Sequence, residues 1–312
     1  MSKRILFMGT PDYATTIFKE LINSKYEVIG LFTQPDKPVG RKQVLTPPHI
    51  KQYCLDENLT IPIFQPLKLR GNEEAKNQIE DLKPDFILVA AYGQILPKEI
   101  LDIAPCINLH ASLLPKYRGA SPIQESLLND DFYTGVTSML MEEGLDSGDI
   151  LGLQYLKITP SMEVSEAFEK LSIIAAKLTI TTLDNYENIK PLKQNESEVS
   201  FCKKIKKEDG LVEFIDAKKL YQKYKAYSFW PGVFLESELK IKDIELNDIN
   251  SINVEGEILE IKDEYIIVGC QKGSLKIKTI QAPSKKAITS VDYVRGQRLV
   301  LLNILKSKNL FG

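Results

Sequence analysis

Six short apolar runs alternate with stretches of helical periodicity over the first 141 residues, an order that few folds accommodate. The runs are Ile5–Met8, Val28–Phe32, Ile61–Phe64, Phe86–Ala91, Ile107–His110 and Val136–Met141. Between them, Thr15–Ile22, Ile50–Glu57, Asn72–Leu82, Leu96–Ile103 and Pro122–Leu128 read as helices. Strands interleaved with helices predict a doubly wound, mostly parallel sheet of the α/β class, covered on both faces. Such sheets bind ligands beyond the carboxyl ends of their strands, so the residues that follow each run are where chemistry is expected.

The pattern then changes. Val164–Leu183 reads as one long helix, and Lys190–Ser200 is polar without an apolar period, the composition of a linker. Lys203-Lys204-Ile205-Lys206-Lys207 follows, then a helix over Ala217–Ala226 that is broken by Phe229-Trp230-Pro231-Gly232. From Val233 to Ile304 short strands such as Ile258–Ile261, Tyr265–Val268 and Leu275–Lys278 are separated by turn signals, which predicts a small β-barrel or sandwich. The expected organisation is a first domain over 1–189, a basic linker over 190–207 and a β domain over 208–312.

The run at Ile107 leads into Asn108-Leu109-His110. Residues i and i+2 of a strand share a face, so an amide and an imidazole can converge on one small group. The chain has two histidines, His49 and His110, which narrows the choice of a group that titrates near neutral pH. His49 lies in a proline-rich loop with nothing beside it to suggest chemistry. Asp146 follows the run ending at Met141, within a loop holding Gly144 and Gly148. An aspartate near His110 would favour the charged imidazole. Asn108, His110 and Asp146 together suit acyl transfer to an amine: two groups to stabilise an oxyanion and one to hold the imidazolium and relay protons. No nucleophilic Ser or Cys is needed if the amine belongs to the substrate. The plainer reading makes His110 a structural histidine and Asp146 or Asp149 a cap. Gly9-Thr10-Pro11-Asp12 has one glycine and a proline, so it reads as a tight strand-to-helix turn rather than a phosphate cradle.

Composition excludes several classes. A net charge of −2 gives no general affinity for nucleic acid, so any RNA binding rests on local patches. Asp36 to Gln43, with Lys37, Arg41 and Lys42, is one basic loop, and the lysines at 203–207 are another. Either alone reads as a solvated surface, but one in each half would suit a large anionic partner. Four cysteines without a Cys-x-x-Cys pair, and two histidines, make a metal site unexpected and a reducing compartment expected. No segment reaches the ~20 apolar residues of a membrane span. The expectation is a cytoplasmic protein.

These segments also carry a resemblance. Gly9-Thr10-Pro11-Asp12, Thr33-Gln34-Pro35-Asp36, Gly40-Arg41, AYGQILP from Ala91 to Pro97, INLHASLLPKYRGASPIQ from Ile107 to Gln124 and GLDSGDIL from Gly144 to Leu151 resemble the methionyl-tRNA formyltransferases. So do Lys206 to Gly210, Trp230-Pro231 and Lys285-Lys286-Ala287, and the match runs nearly end to end. The resemblance implies a formyltransferase domain followed by an OB-like β-barrel that binds tRNA. It implies catalytic roles for Asn108, His110 and Asp146, and 10-formyltetrahydrofolate as co-substrate with no metal. By similarity the folate lies against Ser112, Leu113, Leu114 and Pro115, and the pterin against the backbone of Gln94, Ile95 and Leu96 and the Glu142 to Gly144 loop. It also implies that Arg41, Lys42, Lys204, Lys206 and Lys207 contact an initiator methionyl-tRNA. Nothing in the sequence demands a dimer, and a monomer is the expectation. Two rival readings are a formyltransferase for a small amine, which would not need the basic loop and β domain, and a non-catalytic RNA-binding protein.

Overall fold

The computed structural model describes residues 2–40 and 42–305. Contacts divide the chain into two units: one holds residues up to Pro122, Tyr133–Lys157 and Phe168–Lys203, the other Ile123–Phe132, Ile158–Ala167 and residues from Lys204 on.

Along the chain, β1 (Arg4–Gly9) leads through a tight turn into α1 (Asp12–Ile22). A Cβ on Gly9 would lie 2.6 Å from Ala14 Cβ and 3.0 Å from Ala90 O, so only glycine permits this approach. Then come β2 (Glu27–Phe32), β3 (Lys37–Val39), β4 (Val44–Thr46), α2 (His49–Asp56), β5 (Ile63–Phe64), α3 (Glu73–Leu82), β6 (Phe86–Ala90), α4 (Lys98–Leu101), β7 (Cys106–His110) and β8 (Arg118–Gly119). After α5 (Pro122–Leu128) follow β9 (Tyr133–Leu140), β10 (Ile150–Lys157), α6 (Val164–Asn185) and β11 (Phe201–Cys202). Asn72 starts α3 by accepting a hydrogen bond from Ala75 N at 3.0 Å.

The main sheet, which belongs to the first unit, has the order β10-β9-β7-β6-β1-β2-β5. The pairs β1–β2, β1–β6, β6–β7 and β2–β5 are parallel, as expected, while β7–β9 and β9–β10 are antiparallel. One layer of its core gathers Leu6, Met8, Phe32, Ile79, Ile87, Val89, Tyr92 and Ile100. Two features depart from the sequence expectation. The proline-rich stretch after Phe32 is not all loop: Lys37–Val39 and Val44–Thr46 pair as an exposed ribbon, turned by Gly40 at φ +72°. And Ile150–Lys157 forms an edge strand whose half-exposed residues gave too weak an apolar signal to be read as one.

The second unit adds α7 (Ala217–Tyr227), β12 (Val233–Phe234), β13 (Lys240–Asp248), β14 (Ile258–Ile261), β15 (Ile266–Gly269), β16 (Ser274–Gln281), β17 (Ile288–Thr289) and α8 (Ser290–Gly296). Its sheet runs β12-β13-β16-β15-β14, with β17 on β16, and all its strand pairs are antiparallel. The pairings establish an antiparallel sheet with helices; barrel closure is not among them. Phe214, Leu235, Ile258, Val268, Leu275, Ile277 and Ile280 form its core. Thr289 caps α8, its hydroxyl accepting from Asp292 N at 3.0 Å, which places a helix within the region expected to hold only strands.

Among the described residues no helix is long and apolar enough to cross a membrane, no group of three or more His, Cys, Asp or Glu is arranged to hold a metal, and the four cysteines are buried and outside any disulfide.

Phe214 is fully buried. Phe214→Ala is expected to destabilise the second unit by about 3–5 kcal/mol through lost burial and the cavity left behind; denaturant unfolding followed by circular dichroism measures it.

Candidate active site

Asn108 and His110 project from the carboxyl end of β7, where Asn108 pairs with Val89 of β6 and His110 with Thr137 of β9. His110 is buried. Its Nε2 lies 2.9 Å from Tyr117 O. A carbonyl oxygen can only accept, so Nε2 carries the proton and the tautomer is fixed. Nδ1 faces Asp146 Oδ2 at 3.7 Å, beyond hydrogen-bond length. Given the proton on Nε2, an N–H at Nδ1 exists only in the imidazolium.

Asp146 arrives by an unexpected route. Because β9 is antiparallel to β7, its carboxyl end leaves beside Cys106, whose carbonyl accepts from Met141 N at 2.8 Å. The loop after β9 must therefore fold back over the face on which Asn108 and His110 project. Gly148 allows this, since a Cβ there would lie 1.8 Å from Leu140 O. Asp146 itself takes φ +49°, a left-handed conformation that aspartate tolerates better than most side chains. Its carboxylate accepts from Gly119 N at 2.8 Å on Oδ2 and from Asn108 Nδ2 at 3.4 Å on Oδ1. The three residues singled out in the sequence thus meet around one carboxylate.

The segment read as a linker helps to build this site. Ser200 O accepts from Arg118 N at 2.9 Å, Ser200 Oγ accepts from Tyr117 N at 3.0 Å, and β11 pairs with β8 in parallel. Arg118, buried, donates through Nε to Gln194 Oε1 at 3.0 Å and through Nη2 to Glu196 Oε1 at 2.8 Å. Gln194, Arg118, Tyr117 and Gly119 escaped the sequence reading because they act largely through main-chain groups or other side chains. The polar composition around Gln194 looked like solvated chain.

The remaining expected residues are dispersed. Ser112 is buried and its hydroxyl donates to Lys116 O at 2.6 Å, while Leu114 packs with Met139 and Ile150. Leu113 and Pro115 are partly exposed. Gln94 turns its side chain away to the 66–69 segment, accepting from Leu69 N at 2.9 Å and donating to Pro66 O at 3.0 Å. Ile95 is 71% exposed and Leu96 is buried. The peptide groups of Ile95 and Leu96 carry no intramolecular hydrogen bond among the described residues. Lys42 is exposed between β3 and β4, whereas Arg41 lies outside the described residues. Lys204, Lys206 and Lys207 are exposed in the second unit, with Lys206 and Lys207 at 3.9 Å and 3.7 Å from Glu208 and Glu238. Burial pushes the Cys106 thiol of β7 up to about 12, so no thiolate nucleophile is offered there.

An amide, an imidazole and a carboxylate at a strand end of a doubly wound sheet, with no activated nucleophile, suit transfer of an acyl group to a substrate amine. The formyl transferase family model matches residues 3–183, and the model for the formyl transferase C-terminal domain matches residues 204–298. The chain belongs to the formyl transferase family and is an enzyme of that class. It is 58% identical over 296 residues to the methionyl-tRNA formyltransferase of a Nitratiruptor species, covering 95% of this chain and 97% of that protein. It is 56% identical to the methionyl-tRNA formyltransferase of Campylobacter lari, over 96% of this chain and 98% of that one. Solved structures share the fold at lower identity. HypX from Aquifex aeolicus superposes with a TM-score of 0.65 at 17% identity, over 94% of this chain and 49% of that chain. The N-formyltransferase from Helicobacter canadensis, in complex with folinic acid and dTDP-3-aminofucose, gives 0.67 at 16%, over 90% and 100%.

Gly119 sits at φ +124°, and a Cβ there would lie 2.3 Å from Cys202 O. Gly119→Ala is expected to push β11 from β8, cost about 1–3 kcal/mol by overpacking and weaken the N–H bond to Asp146. A lowered melting temperature together with reduced turnover checks this.

Proposed function

We propose that this enzyme transfers the formyl group of 10-formyltetrahydrofolate to the α-amino group of methionine on initiator methionyl-tRNA, for the initiation of translation. The observation that carries the reading is the end-to-end identity with proteins named methionyl-tRNA formyltransferase, joined to a site that offers oxyanion stabilisers without a nucleophile of its own. The folate supplies the activated formyl group, and the amine nitrogen attacks its carbon as the bond to the folate nitrogen breaks. Asn108 has a second amide N–H besides the one given to Asp146, and with His110 in its imidazolium form, the form in which Nδ1 carries an N–H, it stabilises the oxygen on which charge develops. Asp146 faces His110 and takes part in moving the proton that the amine gives up and the leaving nitrogen receives. The α-amine, with an ordinary pKa near ~8, supplies a neutral fraction at neutral pH.

The free peptide groups of Ile95 and Leu96, beside an exposed apolar side chain, suit the hydrogen-bonding edge of a pterin. Ser112, Leu113, Leu114 and Pro115, which follow His110 in the chain, would line the folate. Exposed Lys42, Lys204, Lys206 and Lys207, with Arg41, supply the phosphate contacts. We place residues 1–189 as the catalytic domain, 190–207 as the connecting basic segment and 208–312 as the tRNA-binding domain, in a cytoplasmic monomer.

Labelled formyl is expected to pass from 10-formyltetrahydrofolate to methionyl initiator tRNA and not to methionyl elongator tRNA. Transfer to neither would sink the acceptor assignment and direct the search to small amines. His110→Ala is expected to lower transfer by about 10²–10⁴-fold with tRNA affinity nearly unchanged, measured by turnover alongside filter binding. A folate analogue should also raise the melting temperature, since it binds the native state alone.

A further inference from the structure

Gln194 occupies an unusual position for a residue in a polar, linker-like segment. It is 9% exposed, and its carboxamide contacts three groups. Oε1 accepts from Arg118 Nε at 3.0 Å, and Nε2 lies 2.8 Å from both Asp146 O and Gly148 O. The orientation is fixed by chemistry. A guanidinium only donates and two carbonyls only accept, so the oxygen must face Arg118 and both N–H groups must face the loop. Arg118 is itself held by Glu196 and by the main-chain bond to Ser200. One of the carbonyls that Gln194 bridges is that of Asp146 itself, the residue in the left-handed conformation, and the other is that of Gly148 two residues later.

We infer that Gln194 is a positioning residue for the reaction: it clamps the loop from Asp146 to Gly148 so that the carboxylate stays between Asn108 and His110. This rests on the assignment of Asp146 as a catalytic group. Without the clamp, the buried Gly148 carbonyl and the partly buried Asp146 carbonyl lose their donors and the loop is released toward other conformations. A small displacement of a reacting group is enough to cost a large factor in rate.

The test is a double-mutant cycle on the full-length enzyme with Gln194→Met, which keeps the side chain's length but donates no hydrogen bond, and Asp146→Asn. Gln194→Met is expected to lower kcat by roughly 10- to 100-fold with the KM for methionyl-tRNA within about twofold, and to cause little further loss on the Asp146→Asn background. Wild-type kcat in Gln194→Met, losses that multiply in the double variant, or an effect confined to KM would each overturn the clamp. Wild-type turnover in Asp146→Asn would instead overturn the catalytic assignment on which it rests. Gln194→Glu is a second variant, read by the same assay. It sets a carboxylate against both carbonyls, so its kcat should fall below that of Gln194→Met, and an equal or higher kcat would also overturn the proposal.

Discussion

The carboxylate of Asp146 has two oxygens that need partners in a place largely closed to water. Gly119 N–H meets one of them at 2.8 Å, and Asn108 meets the other at 3.4 Å. An ionised carboxylate buried without such donors would be costly, so these bonds are a condition for the loop to sit where it does. Each depends on something further away. The Gly119 N–H is aimed by the pairing of β8 with β11, and that pairing needs a glycine because a Cβ would strike Cys202 O. The site therefore rests on main-chain groups supplied by segments far apart in sequence.

His110 shows how a local bond selects chemistry. Tyr117 O accepts a hydrogen bond from Nε2–H, so only Nδ1 is left to face Asp146 and any bound substrate. The ring is both oriented and restricted to one tautomer, which reduces the reorganisation required when charge develops nearby. Burial keeps the Cys106 thiol protonated two residues before Asn108, so the strand end presents polarising groups rather than a nucleophile. That division of labour matches an attacking group brought by the substrate.

Much of this was legible in the sequence. Alternating apolar runs marked the parallel part of the sheet, and strand periodicity put Asn108 and His110 on one face. Asp146 was reachable as a polar residue in a glycine-containing loop, though the loop's path depends on β9 being antiparallel, which no local pattern encodes. The ribbon of β3 and β4 was hidden by prolines, and β10 by half-exposed residues in an edge strand. Gln194 was hidden because a buried glutamine that bonds to main chain leaves no mark in composition. Side chains that act on peptide groups are legible only once the tertiary contacts are known.

The same polar segment has a second consequence. β10 is the outermost strand of the main sheet, and an open edge of this kind is a template for another chain. Leu192 forms a two-way bridge with Ile150 at the start of that edge, with N–O distances of 2.8 and 2.9 Å. Two residues later the chain places Gln194 against the Asp146 loop. One short stretch of backbone therefore both closes the first position of that edge and carries a side chain to the reaction centre, so an insertion there would disturb the sheet margin and catalysis together.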